Sequence, residues 1–167
     1  MLAFIFYFLY NILGVRVTQN PYCHECEVVK QQQLFHKREL RCLQEAIYFE
    51  SRSLPDKSKA MVAQATLNRS KSSVGLGTVC DTVYVPSIYK QYYKACAYSF
   101  ACDGKSERMS EPRARQKALT IATNALNGKY KSLTKGTHFL DCRVAQGQSW
   151  VKNMKPAGTD GVHCYFY

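Results

Sequence analysis

One carboxylate in this sequence falls on an apolar helix stripe. Leu40, Leu43 and Ile47 recur at i, i+3 and i+7, the spacing of a single helix face. At about 100° per residue they lie within about 60° of one another, and Glu50 lands within about 20° of Leu43. Glu45 points elsewhere. A carboxyl held partly out of water is expected to keep its proton near neutral pH. A general acid acting on a glycosidic oxygen needs that property. The plainer alternative is that Glu50 merely closes the helix, reaching solvent or pairing with Arg52 or Lys57.

Other reactive side chains are sparser. Cys23-His24-Glu25-Cys26 has a C-x-x-C spacing, and His36 and Cys42 would complete four zinc ligands. A second C-x-x-C is absent, so disulfides or free thiols are the favoured reading of the eight cysteines. Neither a nucleophilic triad nor a phosphate-binding loop is visible: Gly75-Leu76-Gly77 lacks the flanking strand and third glycine of the dinucleotide pattern. No cofactor or metal is expected.

Three helices must position these groups. The first runs from about Lys37 to Arg52. The second starts near Ser53-Leu54-Pro55-Asp56, with Ser53 as cap, Pro55 in the first turn and Asp56 at the positive helix end, and continues to about Arg69. The third starts at Ser110-Glu111-Pro112 and stops at Gly128. Its inner stripe of Ala114, Ala118, Ile121 and Ala125 predicts close helix packing. A loop-rich stretch with Tyr84, Tyr89, Tyr92, Tyr93 and Tyr98 separates the second and third helices. Beyond Gly128, Thr137-His138-Phe139-Leu140 and Val162 to Tyr167 have the pattern of two short strands. The class is α+β, helical first and β-rich at the end.

Composition bounds the setting. Hydrophobic residues make up 46% and charged residues 21%, as in an ordinary globular protein. The formal charge of +11 favours an anionic partner, either nucleic acid or an anionic bacterial envelope. Residues 1–17 carry the apolar run LAFIFYFLYNIL, too short for an ordinary spanning helix but matching a secretory signal or weak membrane anchor. Residues 18–36 turn polar and suggest a linker, and 37–167 form the compact domain.

The segments around Glu50 resemble the SleB-type cell wall hydrolase family, which includes spore-cortex-lytic enzymes and phage or bacterial envelope lysins (endolysins). Ile47-Tyr48-Phe49-Glu50-Ser51-Arg52 is similar to the family's "IYxEAR" helix, and Val62-Ala63-Gln64-Ala65-Thr66-Leu67-Asn68-Arg69 to its "VAxVxLNR" helix. Tyr98 to Lys105 stands where the family has "FSxxxDG", and Thr137-His138-Phe139, Trp150 and the closing Gly161 to Tyr167 follow in order. A typical member reads Ala-Arg-Gly-Glu after the catalytic Glu. Here the sequence is Ser51-Arg52-Ser53-Leu54, so the usual second Glu is Leu54.

The resemblance implies a small, lysozyme-like single domain that cleaves the β-1,4 bond between N-acetylmuramic acid and N-acetylglucosamine. Lytic transglycosylase chemistry is favoured, muramidase chemistry is the neighbour, and Glu50 is the acid/base. Ordinary glycosidases need a second carboxylate. Asp103 is the best candidate, although an Asp-Gly pair is more often a turn. Tyr98, Ser99, Phe100, Asp103, Thr137, His138, Trp150 and His163 are the expected substrate-binding residues. Tyr98, Phe100 and Trp150 would stack on sugar rings, and the two histidines would line the cleft. Cys80 and Cys102, flanking the Tyr-rich stretch, are the preferred disulfide. Peptidoglycan and the anionic envelope are the expected partners, with membrane contact through the N-terminal run and nucleic acid disfavoured. The rival is an inactive basic module that binds glycan or nucleic acid, using Tyr89-Lys90-Gln91-Tyr92-Tyr93-Lys94 to stack bases.

Overall fold

The computed structural model describes residues 21–75, 77–84 and 96–167. The apolar run 1–17 and the Tyr89–Lys94 segment lie outside them. No helix among the described residues is long and apolar enough to cross a membrane.

The first helix, α1, is Pro21–Ser51 and begins well ahead of the expected Lys37. The polar residues that suggested a linker are helix formers, and no glycine or internal proline interrupts them. Pro21 suits a first turn, and Gln31 donates to Glu27 four residues back at 2.9 Å. The site belongs to the compact unit Phe35–Tyr167. Within it, Cys42 through Tyr48 are buried on every side of α1, Gln44 and Glu45 included. A helix buried all round is a core element, not a surface one.

Around α1 pack α2 (Asp56–Ser70), α3 (Val79–Tyr84) and α4 (Pro112–Leu126). Ser53 does not cap α2: Pro55 takes the cap position without a side-chain bond. Asp56 does sit in the first turn, and it bridges to Lys117 of α4 at 3.0 Å. Ala118, Ile121 and Ala125 are buried on α4, as are Ala60 and Ala63 on α2, and the two helices pack closely on these small side chains. Gly128 ends α4 with φ 81°, its N–H bonding the Ala125 carbonyl at 2.9 Å.

The C-terminal part forms a three-stranded antiparallel sheet: β1 (His138–Asp141), β2 (Pro156–Thr159) and β3 (His163–Phe166), in the order β1-β3-β2. His138 pairs with Phe166 and Asp141 with His163. Tyr165 reaches under the sheet to Met61 and Ala65 of α2 as a second, smaller core. Gly136, just before β1, is fixed by close approach: a Cβ there would lie 2.9 Å from Tyr165 Cβ. Helices first and a short sheet last make the class α+β.

The disulfides correct the expected pairing. Cys80 bonds Cys42, Cys102 bonds Cys96, and Cys142 bonds Cys164. Cys80 opens α3, which lies against α1, so its partner is the α1 cysteine; that adjacency is tertiary and invisible in the spacing. It also removes Cys42 from the four-ligand zinc set. Glu39 reinforces the same contact by accepting the Val79 N–H at 2.6 Å and the Cys80 N–H at 3.4 Å. The Cys42–Cys80 link closes a loop over a separation of 38 residues. Replacing both cysteines by alanine is therefore expected to cost about 2–4 kcal/mol, read by urea denaturation. A loss well under 1 kcal/mol would show that Glu39 and packing alone hold α3.

Candidate active site

Helix α1 carries three carboxylates that are buried or half-buried in this unit, and two have structural work. Glu39 caps α3. Glu45 pairs with Arg41 and accepts the Tyr84 hydroxyl at 2.5 Å, so it points not to solvent but into a second buried contact. Burial, and then the bond to Glu45, hold the Tyr84 phenol far above its usual range. Glu50 differs. It is half-buried in the last turn of α1, and no hydrogen bond or ion pair reaches its carboxyl among the described residues. Burial alone raises its pKa from 4.5 to about 7. Arg52, one possible partner, instead pairs with Glu111 at 2.9 Å.

Tyr98 is buried, and the Glu50 charge bears on it. Its hydroxyl donates to Thr66 Oγ1 at 2.8 Å, and Thr66 donates in turn to the Val62 carbonyl at 2.9 Å. Burial raises the Tyr98 phenol to about 12, Thr66 and the Arg69 charge pull it down, and the Glu50 charge adds to the rise. Phe49 and Phe100 stack at 4.8 Å on one side. Phe139 of β1 lies 6.1 Å from Tyr98 and 5.4 Å from His163 on the other.

The expected substrate-binding residues separate into groups. Trp150, on a short 3-10 turn (Ser149–Asn153), is 39% exposed, against 3% for Tyr98 and 8% for Phe100. Of the three aromatics expected to stack on sugars, Trp150 alone offers an open face; the other two pack on protein. His138, at the start of β1, lies 5.8 Å from Trp150 and shares a 2.9 Å contact between its Nδ1 and Thr137 Oγ1. Burial, then the Arg69 charge, lower its pKa to about 4, so its imidazole is neutral at pH 7. His163 is buried and does not line an open wall. Ser99 and Asp103 are exposed and line a cavity of about 340 Å³ with Phe49, Arg52 and Phe100. Asp103 there accepts the Lys105 backbone N–H at 2.9 Å, the bond of a turn.

Two residues escaped the sequence reading. Asp160 has a buried side chain that accepts from the Val162 and His163 backbone N–H groups, His163 Nδ1 and the Tyr165 hydroxyl, at 2.7–3.1 Å. Burial would raise its pKa, but these bonds outweigh it and hold the carboxyl below its usual range. Its place three residues before His163 was the available signal. Arg69 lies within the helix motif, yet its spacing gave no hint that it stands unpaired. At the departure from the family pattern, the Leu54 carbonyl accepts the Lys59 ammonium.

The protein-family model described as Cell Wall Hydrolase matches residues 53–166. The match covers α2 through β3 and begins just after Glu50. No curated protein and no solved structure matches the chain.

Proposed function

Because this chain belongs to the cell wall hydrolase family, whose substrate is peptidoglycan, we propose that it cuts the glycan strands at the muramic acid–glucosamine bond as a lytic transglycosylase with Glu50 as acid and base. The observation that carries this reading is the Glu50 carboxyl, desolvated, unpartnered and poised near pH 7. A general acid works best with a pKa near the operating pH.

The chemistry needs only one such group. Protonated Glu50 gives its proton to the glycosidic oxygen as the bond from the muramic C1 breaks. The resulting carboxylate then takes the proton of the muramic 6-hydroxyl as that oxygen bonds C1. The products are a free 4-hydroxyl on the glucosamine and a 1,6-anhydro ring, and Glu50 is protonated again. Hydrolysis would require a second carboxylate to hold water or bond the sugar. Glu39, Glu45 and Asp160 are already committed to structural bonds, which keeps them out of a two-carboxylate mechanism and favours the intramolecular route. Neutral His138 and exposed Trp150 supply a cleft wall without competing for the proton.

The site of action lies outside the cytoplasm, and three disulfides suit an oxidising compartment. Residues 1–17 serve as export signal or anchor, and the +11 charge keeps the enzyme on an anionic envelope.

Digesting purified peptidoglycan with the disulfide-intact chain and weighing the soluble products by mass spectrometry tests the reading. Muropeptides ending in 1,6-anhydromuramic acid are expected. Reducing ends would mean a muramidase and would bring Asp103 forward as the second carboxylate. Tight binding without any product would turn the assignment to a binding module.

A further inference from the structure

Arg69 is half-buried, and among the described residues no carboxylate, carbonyl or hydroxyl pairs with its guanidinium. Its neighbours fix its place. It stands one helical turn after Thr66, on the face where Thr66 takes the Tyr98 hydroxyl. The preceding residue, Asn68, donates to the carbonyls of Thr134 at 2.9 Å and Gly136 at 3.1 Å. Those bonds tie this end of α2 to the loop that leads into His138. The guanidinium charge accordingly bears on both Tyr98 and His138 and lowers the pKa of each.

A cation held partly out of water without an ion-pair partner is costly, and among the described residues no carboxylate offsets that cost. Tyr98 keeps its proton. His138 is neutral and turns Nδ1 to Thr137. Glu50 is not within ion-pair distance. An acidic ligand would complete the arrangement, because a guanidinium fork matches a carboxylate with two parallel bonds. Trp150, exposed beside His138, offers an apolar face for the sugar that carries the acid.

We propose that Arg69 is the carboxylate anchor of the cleft, holding the acidic group of the muramic unit on the His138 side and so distinguishing peptidoglycan from neutral glucosamine polymers. The proposal rests on the glycan-strand reading above. Carboxylates occur at two places on that unit. Where the stem peptide has been removed the lactyl carboxylate is free; where the peptide is present the lactyl group is an amide, and the charge lies on the stem.

Calorimetric titration of the full chain as Glu50→Gln, which should hold substrate without cutting it, separates the possibilities. Three probes are used: peptide-free glucosamine–muramic oligosaccharides, the same strands with carboxyls converted to methylamides, and peptide-bearing strands. Conversion to the amide should weaken binding about ten- to a hundredfold, and this comparison requires no change at Arg69. Adding Arg69→Gln should weaken the free-acid strands by a similar factor and leave the amidated strands unaffected, while Arg69→Lys recovers part of the loss. A loss confined to peptide-bearing strands would place the charge on the stem. Equal loss of all three probes in Arg69→Gln, no loss of any of them, or no binding of any probe overturns the anchor. Carboxylate-dependent binding by a wild-type chain that releases no product from peptidoglycan would overturn the glycosidase reading instead.

Discussion

Replacing Glu50 with glutamine is expected to lower peptidoglycan turnover by about 10²- to 10⁴-fold while leaving the fold as stable as before, or more so. The two halves of this expectation have one cause. Glu50 makes no hydrogen bond or ion pair among the described residues, so the isosteric amide loses no contact. It loses only the transferable proton. The pKa is raised from 4.5 to about 7 in the folded chain, so the folded state holds the proton more tightly than the unfolded one. The stability this contributes is full below about pH 4.5 and is lost as the pH rises through about 7. Glutamine is neutral throughout, and Glu50→Gln should therefore gain on the wild type between pH 5 and pH 8. The same carboxyl sets the basic limb of the wild-type profile: kcat/KM should fall about tenfold per pH unit above about 7, where the acid is spent. Thermal melts at the two pH values beside initial rates decide the matter. A variant that loses stability at pH 8 in step with its activity would make Glu50 a structural residue.

Helix periodicity exposed Glu50 because the wheel reports which face a side chain shares with its own helix. It cannot report what approaches the other faces. Glu45 and Gln44, polar and off the apolar stripe, are buried by Tyr84 and by the Arg115 carbonyl, which arrive from distant parts of the chain. The same limit explains the cysteines. Cys42 and Cys80 are bonded because α3 lies on α1, a fact of packing that no spacing encodes. The start of α1 is hidden for a different reason: polarity between residues 18 and 36 suggests a linker, whereas a polar helix needs only helix formers and no core. Strand β2 is not legible because Pro156-Ala157-Gly158-Thr159 has no alternation and only one β-former. It is an edge strand with a bulge between Pro156 and Gly158, where proline and glycine are tolerated. In the site, the aromatic residues were legible by type but not by exposure, and only the fold separates the open Trp150 from the buried Tyr98 and Phe100.

Asp160 carries the largest stability loss expected in the fold. Asp160→Ala should cost about 3–5 kcal/mol, because the change strands a buried set of donors rather than removing one contact. The carboxylate closes the turn between β2 and β3 by accepting the Val162 N–H at 2.8 Å and the His163 N–H at 2.7 Å. Its other oxygen takes the Tyr165 hydroxyl at 2.9 Å and faces His163 Nδ1 at 3.1 Å. Tyr165 is fully buried against Met61 and Ala65, so its hydroxyl has no water to turn to once the acceptor is gone. Asp160→Asn is the sharper variant. Its amide oxygen still serves the two backbone donors, but the NH₂ group then meets the Tyr165 hydroxyl, which can rotate to accept, and His163 Nδ1, which must change tautomer to accept. A loss of about 1–3 kcal/mol is expected for Asn, between wild type and Ala. Because β3 carries Phe166 against Trp150 and pairs with His138, loosening this turn should also disturb the cleft wall. Urea unfolding of the three proteins gives the order, and substrate affinity measured beside it shows whether the wall moves. Equal stability of Ala and wild type would mean that the strand pairing, not the buried carboxylate, holds the end of the sheet.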